Sequence, residues 1–241
     1  FKLFYKYEAK YIESSINCPE TISIQSLFYY YFFMKKSEVR RLKERASYDL
    51  NELFSFLNKT HFVTVSFNQK ETVFSIPMLH AIYDEKIYLH AAVGSRITKE
   101  LANNANVTLS ATDVHGIVLS KSLFHSSMNY QSAVVFGETK RIDDEEIMYA
   151  AFENMVDRFF KGRFEDARKP TKNEWLQTAM LEFTIDEFSL KQRTGMPKEE
   201  ESDKTLPIWS GVVPIETKFV TPEVDIEHSS DIDLPDYLES L

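Results

Sequence analysis

The chain has 241 residues, 43% of them hydrophobic and 14% aromatic, with a formal net charge of −9. That is enough apolar sequence for one sizeable core, and an acidic chain has no sequence-independent grip on nucleic acid. A single cysteine, Cys18, excludes a disulfide within the chain and a thiolate metal site, and the six histidines show no paired-ligand spacing, so no metal is expected.

In chain order, residues 1–33 end in the aromatic run SLFYYYFF and are followed by Met34. We expect an N-terminal extension here, either non-native or disordered, because additions and disorder concentrate at termini. The apolar stretch Leu27–Met34 is far shorter than the ~20 residues that span a bilayer. Lys35, Lys36, Arg40 and Arg41 follow it, whereas a signal peptide carries its basic residues in front. No membrane partner is expected. The lone cysteine points to a reducing compartment, the cytoplasm, with the nucleus also open in a eukaryote.

The domain proper is expected over residues 34–220. Asp49 is placed to cap a helix whose Leu50, Leu53, Phe54 and Leu57 share one face. HFVTVSF (61–67), TVFSIPMLHAIY (72–83) and IYLHAA (87–92) alternate in polarity and predict an antiparallel meander, with Pro77 marking an edge, a bulge or an unpaired backbone N–H. Gly94-Ser95 then opens a short helix carrying Ile97 and Leu101. VTLSATD and GIVLSKSL predict two strands joined at His115-Gly116, and a further strand runs from about Tyr130 to Ile142. Residues 143–160 predict a helix with acids in its first turn, where the helix dipole favours them. A loop with a short helix leads to the last long strand at 180–195. Residues 221–241 form an acidic tail, with seven acids from Glu223 to Glu239 and no lysine or arginine. The pattern is mainly β with peripheral helices in a single domain, a small closed barrel, with a β-sandwich as the competing arrangement.

Several residues are candidates for chemistry. Ser95 and Arg96 at a strand-to-helix junction combine free backbone N–H groups, a hydroxyl and a guanidinium, a set suited to phosphate, although a plain cap with a surface arginine has the same appearance. His90 stands on the strand before them, with His80 as a candidate cross-strand neighbour, and a lone strand histidine is more often a half-buried structural residue than a ligand. Lys191 and Arg193 share a face at the end of the last strand, and Trp209 is either a core plug or a wall beside a ring. The stretch LFHSSMNYQS ahead of AVVFG is either a surface loop or a polar lining for a ligand. No GxSxG, GxGxxG or P-loop occurs.

Taken together, YLHAAVGSR, FHSSMNYQSAVVFG and KQRTGMP with its following PIWSGVVPI resemble the flavin-nucleotide-binding branch of the pyridoxamine 5'-phosphate oxidase-like superfamily, to which nitroimidazole-resistance proteins belong. The resemblance runs from about Arg45 to Ile215. It implies an FMN-binding split β-barrel that forms a homodimer with FMN sites at the subunit interface. It assigns the phosphate to Ser95 and Arg96, and the flavin ring to the strand at Pro77, Met78 and Leu79 with His90 close by. Asn129, Tyr130 and Ser132 would reach the cofactor from across the dimer, with Lys191, Arg193 and Trp209 as further contacts. Ile97 stands where relatives often carry a second basic residue. The expected function is a flavin-dependent oxidoreductase acting on a small molecule, with His90 and Tyr130 as candidate catalytic groups. A non-catalytic flavin carrier or interaction protein is the alternative, and a haem-binding split barrel a weaker one. Pyridoxamine 5'-phosphate oxidase activity stands with it as a weaker alternative, because the Arg-x-His motif that ends such oxidases is missing from the acidic C-terminal stretch.

Overall fold

The computed structural model describes residues 35–229 and 231–239, so the expected extension over 1–33 lies outside the described residues. The chain divides into two units at Lys36, and Ser37–Leu241 carries the fold. Its strands are β1 (Ala46–Ser47), β2 (Val63–Gln69), β3 (Thr72–Met78), β4 (His80–Tyr83), β5 (Lys86–Ala92), β6 (Asn103–Leu119), β7 (Ser127–Ile142), β8 (Thr178–Arg193) and β9 (Gly211–Pro214). The main helices are α1 (Leu50–Lys59), α2 (Arg96–Leu101), α3 (Glu145–Asp157), α4 (Arg163–Asp166) and α5 (Lys172–Gln177). Among the described residues no helix is long and apolar enough to cross a membrane.

The strands pair in the order β3-β2-β6-β7-β8-β5-β4, with β1 added to β8 and β9 to β6. The two ends of that order are neighbours in the chain, separated by Leu79 alone. One run of sequence therefore pairs with β2, kinks, and continues by pairing with β5. This closes the sheet into a barrel, and it explains why the single strand predicted over 72–83 is two. Pro77, without an N–H to donate, stands just ahead of the kink.

The interior is filled by the alternate residues of the strands. Val63, Val65, Phe67, Leu89, Val107, Leu109, Val135, Leu181 and Phe183 form one buried cluster with Leu53, Phe56 and Leu57 of α1 and Ile97 and Leu101 of α2. Each such side chain contributes about 1.5–3 kcal/mol by leaving water. Asp49 caps α1 as predicted, accepting from the Glu52 N–H at 3.0 Å. A second cluster lies on the outer face, where α3 lays Met148, Ala151 and Met155 over Ala81, Tyr88 and Met180. On this face the buried Glu182 carboxylate is held between Lys86 at 3.0 Å and Lys140 at 2.9 Å. Burial works to raise its pKa, but the hydrogen bonds from Lys140 and Lys86 outweigh that and keep it below the ordinary glutamate value.

Two expectations are corrected by the register. The predicted junction at His115-Gly116 is no turn: β6 runs through it with a bulge between Val114 and Gly116. Gly116 is needed there because β9 passes so close that a Cβ would stand 2.9 Å from the Val213 carbonyl oxygen. His80 and His90 are not cross-strand neighbours, since His80 pairs with Leu89. The pleat turns His80 inward, where it is fully buried, and leaves His90 on the outer face.

Candidate functional site

The residues singled out in the sequence fall into two groups. The first surrounds the kink. α2 begins at Arg96, with Ser95 capping it by accepting from the Thr98 N–H at 3.2 Å. Arg96 lies over the Phe74 ring, 4.6 Å from its centroid. Phe74 belongs to β3, three residues before Pro77, so the phosphate-suited element and the kinked strand are in contact. Continuing the β4–β5 register by one residue sets Leu79 opposite His90. Leu79 is 49% exposed, a large apolar side chain left open beside the kink. The His90 ring packs on Phe152 of α3 at 5.4 Å, and its Nδ1 is buried with no hydrogen-bond partner among the described residues. Burial lowers the His90 pKa, so at neutral pH the ring is an uncharged donor and acceptor.

The second group gathers where β7 starts and β8 ends. Tyr130 pairs with Arg193 and Ser132 with Lys191. Arg193 is 8% exposed, and it donates through Nη1 to Asn129 Oδ1 and to the Gly195 carbonyl, and through Nη2 to the Met196 carbonyl. All three acceptors are neutral. Lys191 Nζ donates to the Arg41 carbonyl at 2.9 Å. Asn129, Tyr130, Ser132, Lys191 and Arg193 are thus brought together, on a strand that begins at Ser127 and not at about Tyr130 as predicted. Trp209 is 64% exposed, with its ring against the Gly211 backbone. Sequence reasoning missed one member, Arg45. The pairing of β1 with the end of β8 brings it close enough to Arg193 that its charge, after burial, is the next cause lowering the Arg193 pKa. The basic run before Ala46 was its only sequence signal.

The two groups stand apart within one chain. Ala92, three residues before Ser95, pairs with Thr178 at one end of β8, and Tyr130 pairs with Arg193 at the other. At about 3.3 Å per residue that is about 50 Å along the strand. Next to the second group, Met128, Ile117 and Val213 sit side by side on three paired strands, 38%, 41% and 48% exposed. A monomer gains nothing by presenting such an apolar row to water.

A third feature was not foreseen. Between Ser110, the last β6 residue paired with β2, and Gly116, the first paired with β9, that edge of β6 has no strand partner among the described residues, although the Ile215 N–H donates to the His115 carbonyl at 3.0 Å. A groove of about 720 Å³ opens there, with His61, Phe62, Asp113, His115, Ile215 and Glu216 on its walls. The His61 ring lies parallel to Phe159 at 5.3 Å and edge-on to Phe219 at 5.2 Å, and its nitrogens have no hydrogen-bond partner among the described residues. His115 Nε2 is 3.1 Å from Asp113 Oδ2.

The profile of the family described as pyridoxamine 5'-phosphate oxidase matches residues 49–192. A flavocytochrome from Azotobacter vinelandii is similar in structure at a TM-score of 0.79 and 27% identity, over 85% of this chain and 95% of that one. An FAD and haem binding protein from Mycobacterium smegmatis is similar at a TM-score of 0.76 and 27% identity, over 81% and 96%. No curated protein matches the chain.

Proposed function

Since this chain belongs to the pyridoxamine 5'-phosphate oxidase family by a match over residues 49–192, we propose that it is a flavin-binding protein, an oxidoreductase acting on a small molecule. The observation that carries this reading is the contact of Arg96 with the strand leading to the kink at Leu79. It joins a phosphate-suited cation to an exposed, unpaired turn of backbone, the two ends of what a flavin nucleotide needs. The two similar structures, described as a flavocytochrome and as an FAD and haem binding protein, support it. FMN is the simplest occupant, with one phosphate for Ser95 and Arg96.

The residues present fit such a group. Arg96 would hold phosphate, and the unpartnered Nδ1 of His90 would offer a hydrogen bond toward the ring or substrate. The cofactor supplies reversible electron transfer, and the protein supplies position and electrostatics. In one chain His90 and Tyr130 are far apart, since His90 pairs with Met180 and Tyr130 with Arg193. The proposal therefore includes a homodimer in which the Tyr130 end of one copy meets the His90 end of the other, burying the row of Met128, Ile117 and Val213.

Purified protein should show the two visible bands of oxidised flavin, or acquire them on adding FMN or FAD. Arg96→Met and His90→Ala should each weaken that binding, by about tenfold for the charged contact. A colourless protein that takes up neither flavin would overturn the proposal. Reduction by a nicotinamide donor followed by reoxidation separates an enzyme from a carrier.

A second reading adds haem in the groove, favoured by His61, a half-buried imidazole with free nitrogens and aromatic support. Haemin titrated into the full chain should give a sharp Soret shift that His61→Ala abolishes. A shift unchanged in His61→Ala but lost in His115→Ala would reassign the ligand, and no shift at all removes the reading.

A further inference from the structure

Beside α3, three aromatic side chains enclose a cavity that the packing of the helices leaves open. Phe152 of α3, Phe164 of α4 and Trp175 of α5 stand on its walls, and its volume is about 280 Å³. The Trp175 ring is fixed edge-on against Tyr149 at 4.8 Å and Phe152 at 5.3 Å, and its Nε1 donates to the Tyr149 hydroxyl at 3.1 Å. The polar edge of the indole is thus satisfied within the wall. An apolar cavity of roughly 150 Å³ holds one benzene ring, so this one has room for one or two fused rings. Its charged wall is of one sign. Arg163, Arg168 and Lys169 line the cavity, whereas the carboxylates paired with them, Asp166, Glu174 and Glu165, do not. Exposed pairs of this kind are weak. Arg163 donates only through Nη1, to Asp166 and to Tyr237, each at 3.3 Å, and its Nε and Nη2 have no hydrogen-bond partner among the described residues. That edge of a guanidinium grips a carboxylate with two parallel hydrogen bonds.

We propose that this cavity is a binding site for a small planar aromatic acid, its rings among Phe152, Phe164 and Trp175 and its carboxylate on the free edge of Arg163. A purely apolar guest would lie against three cations, and a simple anion would give up its water against three aromatic rings. A flat aromatic acid matches both parts of the wall. The site stands without the flavin reading, because none of the residues assigned to the flavin lines the cavity. Phe152 nevertheless joins the two places, since its ring also packs on His90 at 5.4 Å. A ligand held here is one ring away from the histidine proposed to face the flavin.

The test is calorimetric titration of the full chain with naphthoate and with the neutral naphthylmethanol, with and without saturating FMN or FAD. Naphthoate should bind at a single site per chain, at least about tenfold more tightly than the alcohol, and equally well with flavin present. Arg163→Met should lower naphthoate affinity by about tenfold while changing that of the alcohol by less than about threefold. Ala167→Phe should abolish binding of both probes, because Ala167 lines the cavity and a ring there fills it. Ala167 is only partly buried and its backbone is extended, so this variant carries the test if Arg163→Met fails to fold. Naphthoate that binds no more tightly than the alcohol, that binds Ala167→Phe as it binds wild type, or that flavin displaces would overturn the site. So would the absence of binding by both probes at their solubility limits. Wild type that binds naphthoate and takes up neither flavin would end the flavin reading and leave this site standing.

Discussion

Replacing Gly137 with alanine is expected to destabilise the fold by about 3 kcal/mol or more, among the larger effects one methyl group can have. Gly137 lies in β7 beside a register shift, where Phe136 pairs with Glu187 and Gly137 with Ile185. The extra residue on β8 draws the two backbones together. A Cβ at Gly137 would stand 2.1 Å from the Thr184 carbonyl oxygen and 2.7 Å from Cζ of Phe183, which is fully buried. Neither neighbour can move aside, one being strand backbone and the other core. Gly94 is the matched control, with nothing within 4 Å of its added Cβ. Gly94→Ala should stay within about 0.5 kcal/mol of wild type. Urea denaturation of the two variants checks the contrast, and similar midpoints for both would show that the bulge relaxes.

Acid should unfold the protein earlier than its carboxylates alone require, because of His80. Its ring is fully buried, with Nε2 at 2.8 Å from Arg158 Nη1. A guanidinium can only donate, so Nε2 accepts and the proton sits on Nδ1, which has no partner among the described residues. The Leu57 carbonyl lies 2.9 Å from the same nitrogen and also accepts from Arg158 at 3.3 Å. Burial first, and the Arg158 charge second, push the His80 pKa down to about 3, while burial brings Arg158 to about 10. The ordinary histidine value is about 6.5, so between these limits the unfolded chain binds the extra proton. The stability held by the neutral ring is complete above about pH 6.5 and is lost as the pH falls toward 3. By pH 5 the loss from this group is about 2 kcal/mol. His90 is shifted in the same direction, so the decisive comparison is between variants. His80→Gln keeps an acceptor for Arg158 and cannot titrate. Its melting temperature should vary less between pH 6.5 and 5 than that of wild type, whatever its absolute stability. Parallel curves would show that His80 charges without penalty.

Much of the barrel was legible because strand alternation is a local property. Val63, Val65 and Phe67 announce a half-buried strand wherever it pairs, and Asp49 announces a helix start from four residues of sequence. The kink at Leu79 was half legible: Pro77 signalled an irregularity, but pairing alone shows the chain leaving β2 for β5. Gly116 was misread as a turn because a glycine required by the close passage of β9 looks, in sequence, like any other glycine. The residues carried over from the family resemblance resolve into two groups at opposite ends of β8, a division that no spacing in the sequence reveals.

The sequence by itself determined an acidic, mainly β, single-domain chain of this family, through residue periodicity and short motifs that are read within one element. The tertiary structure alone decided that Arg45 stands beside Arg193, that His61 faces a groove, and that His80 is buried while His90 is not. Each of these depends on register between strands distant in the chain, and a shift of one residue would turn every side chain to the opposite face.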